Sequence, residues 1–135
     1  MNKELFKEFI DNMYRIYNMK VSKSCIEFCQ GENRILLKLS MEKNRTLTPS
    51  DLSNKLEISR QRVTATLNSL KSKNLINMEM GKEDRRRIII TISKEGQDYI
   101  TEKGNEVEKE MKVFVEKLGE TKLKELNELL KIINN

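Results

Sequence analysis

The run Gly81-Lys82-Glu83-Asp84-Arg85-Arg86-Arg87 concentrates more charge chemistry than any other stretch of the chain. Guanidinium groups present planar, permanently charged donors that suit phosphate oxygens. A narrow A·T-rich minor groove also concentrates negative potential, and arginine is the side chain that exploits it. A second set lies upstream. Gln61, Ala65, Asn68 and Ser72 recur at helical spacing, flanked by Arg62, Thr64 and Ser69. At roughly 100° per residue they fall opposite Val63, Leu67 and Leu70, which cluster on one face. Amides such as Gln61 and Asn68 can pair bidentately with adenine in a major groove. Arg60 and Arg62, in the first turn, are near enough to reach guanine or phosphate. Ser59, Thr64 and Thr66 suit phosphate oxygens or thymine methyls. The expected nucleic-acid contacts are therefore Ser50, Ser59, Arg60, Gln61, Arg62, Thr64, Ala65, Asn68, Lys82, Asp84, Arg85, Arg86 and Arg87.

Two short helices and a hairpin must position these groups. Thr48-Pro49-Ser50-Asp51 reads as a helix start: threonine caps, proline suits the first helical position, and the acid three residues after the cap completes a capping box. Leu52 and Leu56 form that helix's apolar stripe, and Glu57-Ile58-Ser59 closes it. Ser59 caps the next helix, which is expected to run to about Asn74. Leu75-Ile76-Asn77-Met78-Glu79 then alternates as a strand, and Ile88-Ile89-Ile90-Thr91-Ile92 is β-branched enough to partner it. The charged run lies at the tip between them. Together these segments predict a helix-turn-helix with a wing.

The remaining chain is helical in pattern. A first helix is expected over about residues 2–18, from Leu5, Phe6, Phe9, Ile10, Met13, Ile16 and Tyr17, and a second over about 31–43. Ser93 caps a long helix carrying Ile100, Val107, Met111, Phe114 and Leu118. Gly119 punctuates it, and Leu123, Leu126, Leu130 and Ile133 mark a last one. This gives six helices and one hairpin in a mainly α, winged-helix (α+β) fold. It is expected as a single domain over 1–135, with the winged helix-turn-helix at 31–93 and helical dimerisation parts at 1–20 and 94–135. A winged helix of this size cannot also cover the terminal stripes, so a second copy across a two-fold axis is the economical partner. Packing into a monomeric bundle is the alternative.

Charge supports this placement. The chain has 135 residues and a net charge of +5. Residues 1–45 carry nine basic and six acidic side chains, residues 46–96 ten and six, and residues 97–135 seven and nine. Positive charge thus sits with the expected reader, as phosphate neutralisation requires, and the tail is acidic. No apolar run approaches membrane-spanning length and the amino end lacks a signal-peptide layout, so a cytoplasmic protein is expected. Abundant Lys, Asn and Ile suggest an AT-rich bacterial coding sequence.

Catalysis finds no support: without histidine there is no Ser-His or Cys-His pair, and the five glycines form no phosphate loop. No cofactor is expected. Cys25 and Cys29 stand four apart just before the second expected helix. They read as a redox pair, half of a metal site, or small buried hydrophobes at a helix junction, the last being preferred. The missing histidine removes a common zinc ligand.

This order of elements resembles the MarR (multiple antibiotic resistance regulator) family over nearly the whole chain. The likeness is carried by Asp84-Arg85-Arg86, by Ile90-Thr91-Ile92-Ser93-Lys94-Glu95-Gly96, and by Leu52-Ser53-Asn54-Lys55-Leu56-Glu57-Ile58-Ser59, with Ser53 where a small residue sits between the two helices. The resemblance implies a dimeric repressor on palindromic promoter DNA, with Arg86 in the minor groove and Asp84 pairing with it and directing it. It also implies a small-molecule effector between dimer helices and reader, in a cleft that Met13, Tyr14, Tyr17, Phe28 and Arg15 or Arg34 can line. The runner-up is a winged-helix module that docks protein, as an antirepressor or accessory subunit does. A basic wing argues against it.

Overall fold

The computed structural model describes residues 1–42, 44 and 46–135. Its elements are α1 (Lys3–Tyr17), α2 (Lys20–Phe28), α3 (Gly31–Met41), α4 (Pro49–Leu56), α5 (Arg60–Ser72), β1 (Ile76–Met80), β2 (Ile88–Ile92), α6 (Lys94–Glu116) and α7 (Gly119–Asn134). The fold is mainly α with one two-stranded antiparallel sheet, as the sequence pattern predicted. The expected end of the second helix at residue 43 lies outside the described residues.

One helix was not foreseen. α2 occupies a stretch that the sequence reading left between helices. Its stripe of Val21, Cys25 and Phe28 has helical spacing, but it spans only two turns and its middle member is a cysteine, so the period is easily missed. Cys25 consequently lies inside a helix, half-buried, and Cys29 follows that helix and is exposed. The preferred reading of Cys29 as a small buried hydrophobe is therefore wrong: its side chain ends in solvent.

The chain divides into two compact units, one of residues 1–25 with 105–135 and the other of residues 26–104. The second holds the core. Ile35, Leu36 and Leu39 of α3, Leu52 and Leu56 of α4, and Val63, Leu67 and Leu70 of α5 close on Leu47, Ile76, Ile90 and Ile100. Each helix contributes one stripe at helical spacing, which is why these short helices hold together: tertiary burial supplies most of their stability. The sheet pairs Ile76 with Ile92, Met78 with Ile90 and Met80 with Ile88. Leu47 adds a single bridge to Ile90, whose N–H donates to the Leu47 carbonyl at 2.8 Å.

The join from β2 to α6 is tightly specified. Ser93 caps α6: its Oγ accepts from the Gly96 N–H at 2.9 Å and donates to the Asn74 carbonyl at 2.7 Å. Gly96 is glycine for a steric reason, since a Cβ there would overlap the Leu75 carbonyl oxygen.

The first unit, taken by itself, is built differently. α1 starts on Asn2, whose Oδ1 accepts from the Glu4 and Leu5 N–H groups. Neither α1 nor α7 buries a single residue. Among the unit's described residues only Val21 is a buried hydrophobe.

Candidate nucleic-acid interface

The reading elements all lie in the second unit, and local chemistry sets each of them. α4 begins with the expected capping box: Asp51 N–H donates to Thr48 Oγ1 at 3.2 Å, and Thr48 N–H donates to Asp51 Oδ2 at 2.9 Å. The Thr48 N–H bond holds the Asp51 carboxyl below its usual value. Glu57 ends α4 in the left-handed region at φ 54°. Ser53 lies within α4 and not between the helices. Its Oγ donates to the Ile58 carbonyl at 2.6 Å, which explains a small hydroxyl residue there. Ser59 then caps α5 by accepting from the Arg62 N–H at 3.2 Å. Glu57, Ile58 and Ser59 are thus a three-residue joint in which each residue has a separate mechanical duty.

Helix α5 has two distinct sides. Val63, Leu67 and Leu70 are sealed in the core, while Gln61, Arg62, Thr64, Ala65 and Asn68 are exposed. Thr66 is half-buried. Three residues assigned to the outward surface have partners inside the protein. Arg60 donates to Ser50 Oγ, so these two expected contacts are tied to each other across α4 and α5. Ser72 donates to the Ser69 carbonyl of its own helix at 2.7 Å. Ser69 is half-buried and donates to Glu32 on α3, so its hydroxyl serves the inside of the unit. Glu32 itself was absent from the sequence reading, because a pairing 37 residues away in sequence leaves no local pattern.

The wing closes as a tight hairpin. Gly81 N–H donates to the Arg87 carbonyl at 2.8 Å, and Arg87 N–H donates to the Asp84 carbonyl at 3.1 Å. A Cβ on Gly81 would lie 2.6 Å from that Asp84 oxygen, so the turn demands glycine. Asp84 Oδ1 accepts from the Arg86 backbone N–H at 3.0 Å and from Arg86 Nε at 3.3 Å. The carboxylate therefore holds both the backbone and the guanidinium of a side chain that is 93% exposed. Lys82, Arg85 and Arg87 are exposed around it. Exposure and screening make the ion pair itself worth little. Its effect is directional: it aims one guanidinium.

Beside α5, a crevice of about 680 Å³ is lined by Cys29, Gln30, Arg34, Arg62 and Thr66 among others. Of the residues expected to line an effector cleft, Met13, Tyr14 and Tyr17 are exposed on α1 in the first unit. Phe28 and Arg34 belong to the second.

A helix-turn-helix followed by an antiparallel hairpin with a basic tip defines a winged helix-turn-helix. Residues 34–87 match the sequence model of the MarR family. The chain is 34% identical over 89 residues to the HTH-type transcriptional regulator PapX of Escherichia coli, a match covering 62% of this chain and 54% of PapX. The chain thus spans about half the length of that curated relative. Among solved structures, the YusO protein of Bacillus subtilis shares the fold with a TM-score of 0.82 at 18% identity, covering 99% of this chain and 98% of YusO. A mutant of MepR from Staphylococcus aureus, bound to an oligodeoxyribonucleotide, matches with a TM-score of 0.67 at 19% identity, over 96% of this chain and 93% of MepR. Among the described residues no helix is long and apolar enough to cross a membrane.

Proposed function

We propose that this protein is a cytoplasmic transcriptional regulator that binds double-stranded DNA as a homodimer, reads a palindromic operator, and represses until a signal releases it. The observation that carries the reading is the division of labour in the second unit. α5 shows the solvent a small, amide-bearing surface with arginine at its leading end, and Asp84 aims Arg86 from the tip of the wing. In this reading Gln61 and Asn68 read base edges, with Ala65 leaving room for close approach. Ser59, Arg62 and Thr64 hold phosphates, and Arg86 enters the minor groove. Lys82, Arg85 and Arg87 add phosphate neutralisation. Ser50 and Arg60 act as one unit at the head of α5, since they are already bonded to each other.

The dimer is supported by the first unit. α1 and α7 leave Phe9, Ile10, Met13, Leu130, Ile132 and Ile133 exposed. Contiguous apolar stripes of that extent mark an interface in a water-soluble protein. A second copy also supplies the paired half-sites that a palindrome needs. The release signal is a small-molecule effector or an oxidant. For the oxidant, exposed Cys29 shares its crevice with Arg62 and Thr66 of α5, so chemistry at that thiol would be felt at the reader.

The test is a titration of the protein against genomic fragments that it retains, over a range of salt. Affinity should fall with a log–log slope of roughly 0.9 per phosphate contacted. Arg86→Ala should weaken specific and scrambled duplexes alike, most at A·T-rich flanks. Salt-independent binding, or none to any fragment, would overturn the reading and favour a protein-docking module.

A further inference from the structure

Burial of Val63, Leu67 and Leu70 decides which face of α5 turns inward. Contacts among Val63, Leu67, Leu70 and the rest of the core are apolar, and such contacts are non-directional. Base readout is sensitive to placement at the level of about half an ångström. A directional constraint sharpens that placement, and α3 provides one. Glu32, in the first turn of α3, holds the carboxyl end of α5 at Ser69 and at the C-cap residue Lys73. Its Oε1 accepts from Ser69 Oγ, and its Oε2 accepts from Lys73 Nζ at 2.7 Å. Both bonds are charge-assisted, the class with the strongest preference for one geometry. Arg60, bonded to Ser50, tethers the other end of the same helix.

We propose that Glu32 is a positioning residue for sequence recognition: it sets the roll of α5 and so the presentation of Gln61 and Asn68 to base edges, without touching DNA. This rests on the DNA-reading function proposed above. The bond from Lys73, followed by that from Ser69, lowers the Glu32 carboxyl below its ordinary value, so at neutral pH the clamp is charged and closed. Glu32 thereby contributes to discrimination, whereas its charge alone acts against affinity, since an acid near the reader repels phosphate.

These two effects have opposite signs, and that separates them. Glu32→Gln and Ser69→Ala are each titrated, at matched salt, against one retained genomic duplex and one scrambled duplex. Glu32→Gln should lose about three- to fivefold on the specific duplex, as expected for a partly exposed clamp, while the scrambled duplex is unchanged or bound slightly more tightly. Ser69→Ala should move the ratio in the same direction by less. Equal gains on both duplexes would mean that Glu32 matters only through its charge, and unchanged binding would mean that it does not matter; either overturns the proposal. Amide exchange in free protein gives a readout without DNA. Exchange at Leu70–Lys73 should quicken in Glu32→Gln while the denaturation midpoint moves little, and unaltered exchange overturns the clamp. If the parent retains no duplex, the regulatory reading fails and so does the role in discrimination, while exchange still decides whether the clamp exists.

Discussion

Between residues 26 and 104, twelve apolar side chains from three helices, a hairpin and the start of α6 exclude water from one another. In residues 1–25 and 105–135 Val21 alone among the described hydrophobes is buried, although this unit carries longer helices and stronger apolar stripes. Ile132 and Ile133 remain 73% and 74% exposed, and Phe9 52%. Both units obey the same pattern rules; what differs is whether the chain supplies the opposing face. For the reader it does, so its stability is intrinsic. The terminal helices bury almost nothing, and on the dimer proposed above their stability would come from a second copy and depend on concentration. Strength of amphipathic pattern therefore says how much surface a helix needs covered, and nothing about who covers it.

That contrast can be broken first in the core. Leu67→Ala should cost about 2–5 kcal/mol by urea denaturation, independent of protein concentration, because it opens a cavity among fixed neighbours. A loss that grows on dilution would mean that the reader, too, leans on a second copy. Next comes the terminal unit. Leu126→Glu with Leu130→Glu should halve the sedimenting mass from about twice the 15.9 kDa chain to the chain itself, leaving the second unit folded by circular dichroism of a melt. Unchanged mass would remove the interface assigned to α7.

Smaller effects sharpen the division within the reader. Gln61→Ala should cost roughly 1–3 kcal/mol on the specific duplex and almost nothing on a scrambled one, since a base-edge bond carries the difference. Equal losses on both would mark Gln61 as a backbone contact. Asp84→Ala should act in the same direction as Arg86→Ala, weakening both duplexes, but by a few tenths of a kcal/mol, the scale of an exposed pair.

The smallest effect expected is on pH dependence. A carboxyl whose pKa is lowered on folding stabilises the fold above its unfolded value, and that gain is lost as pH falls through the folded one. Glu32 is lowered by Lys73 and Ser69, so the gap in stability between parent and Glu32→Gln should be open at neutral pH. It should close on acidification through and below the ordinary carboxylate range. A gap that persists in acid would assign the effect to packing.

What could be read from the sequence follows the range of the interactions involved. Thr48 with Asp51, Ser59 with α5, Ser93 with α6, and the alternation on either side of the wing are all contacts within a few residues, and each was legible. Helix α2 itself was not: in nine residues its stripe of Val21, Cys25 and Phe28 makes only two turns and runs through a cysteine. Nor was the bond from Ser69 to Glu32, or the overlap that forbids a side chain at Gly96, because each depends on which elements come together. At the reader the sequence could say which side chains point away from Val63, Leu67 and Leu70. It could not say which of them already had a partner.

The two-sided character of α5 bears on how such a protein changes its target over generations. The side chains of Gln61, Ala65 and Asn68 are exposed and make no hydrogen bond among the described residues, so exchanging them falls among surface substitutions that cost about half a kcal/mol or less. Ser69 near the end of the same helix and its C-cap Lys73 are committed to Glu32. On the DNA-reading function proposed above, a gene duplicate could sample new operator sequences at three positions while its helix stays in register, so that divergence of specificity would not wait for compensating repairs elsewhere in the fold.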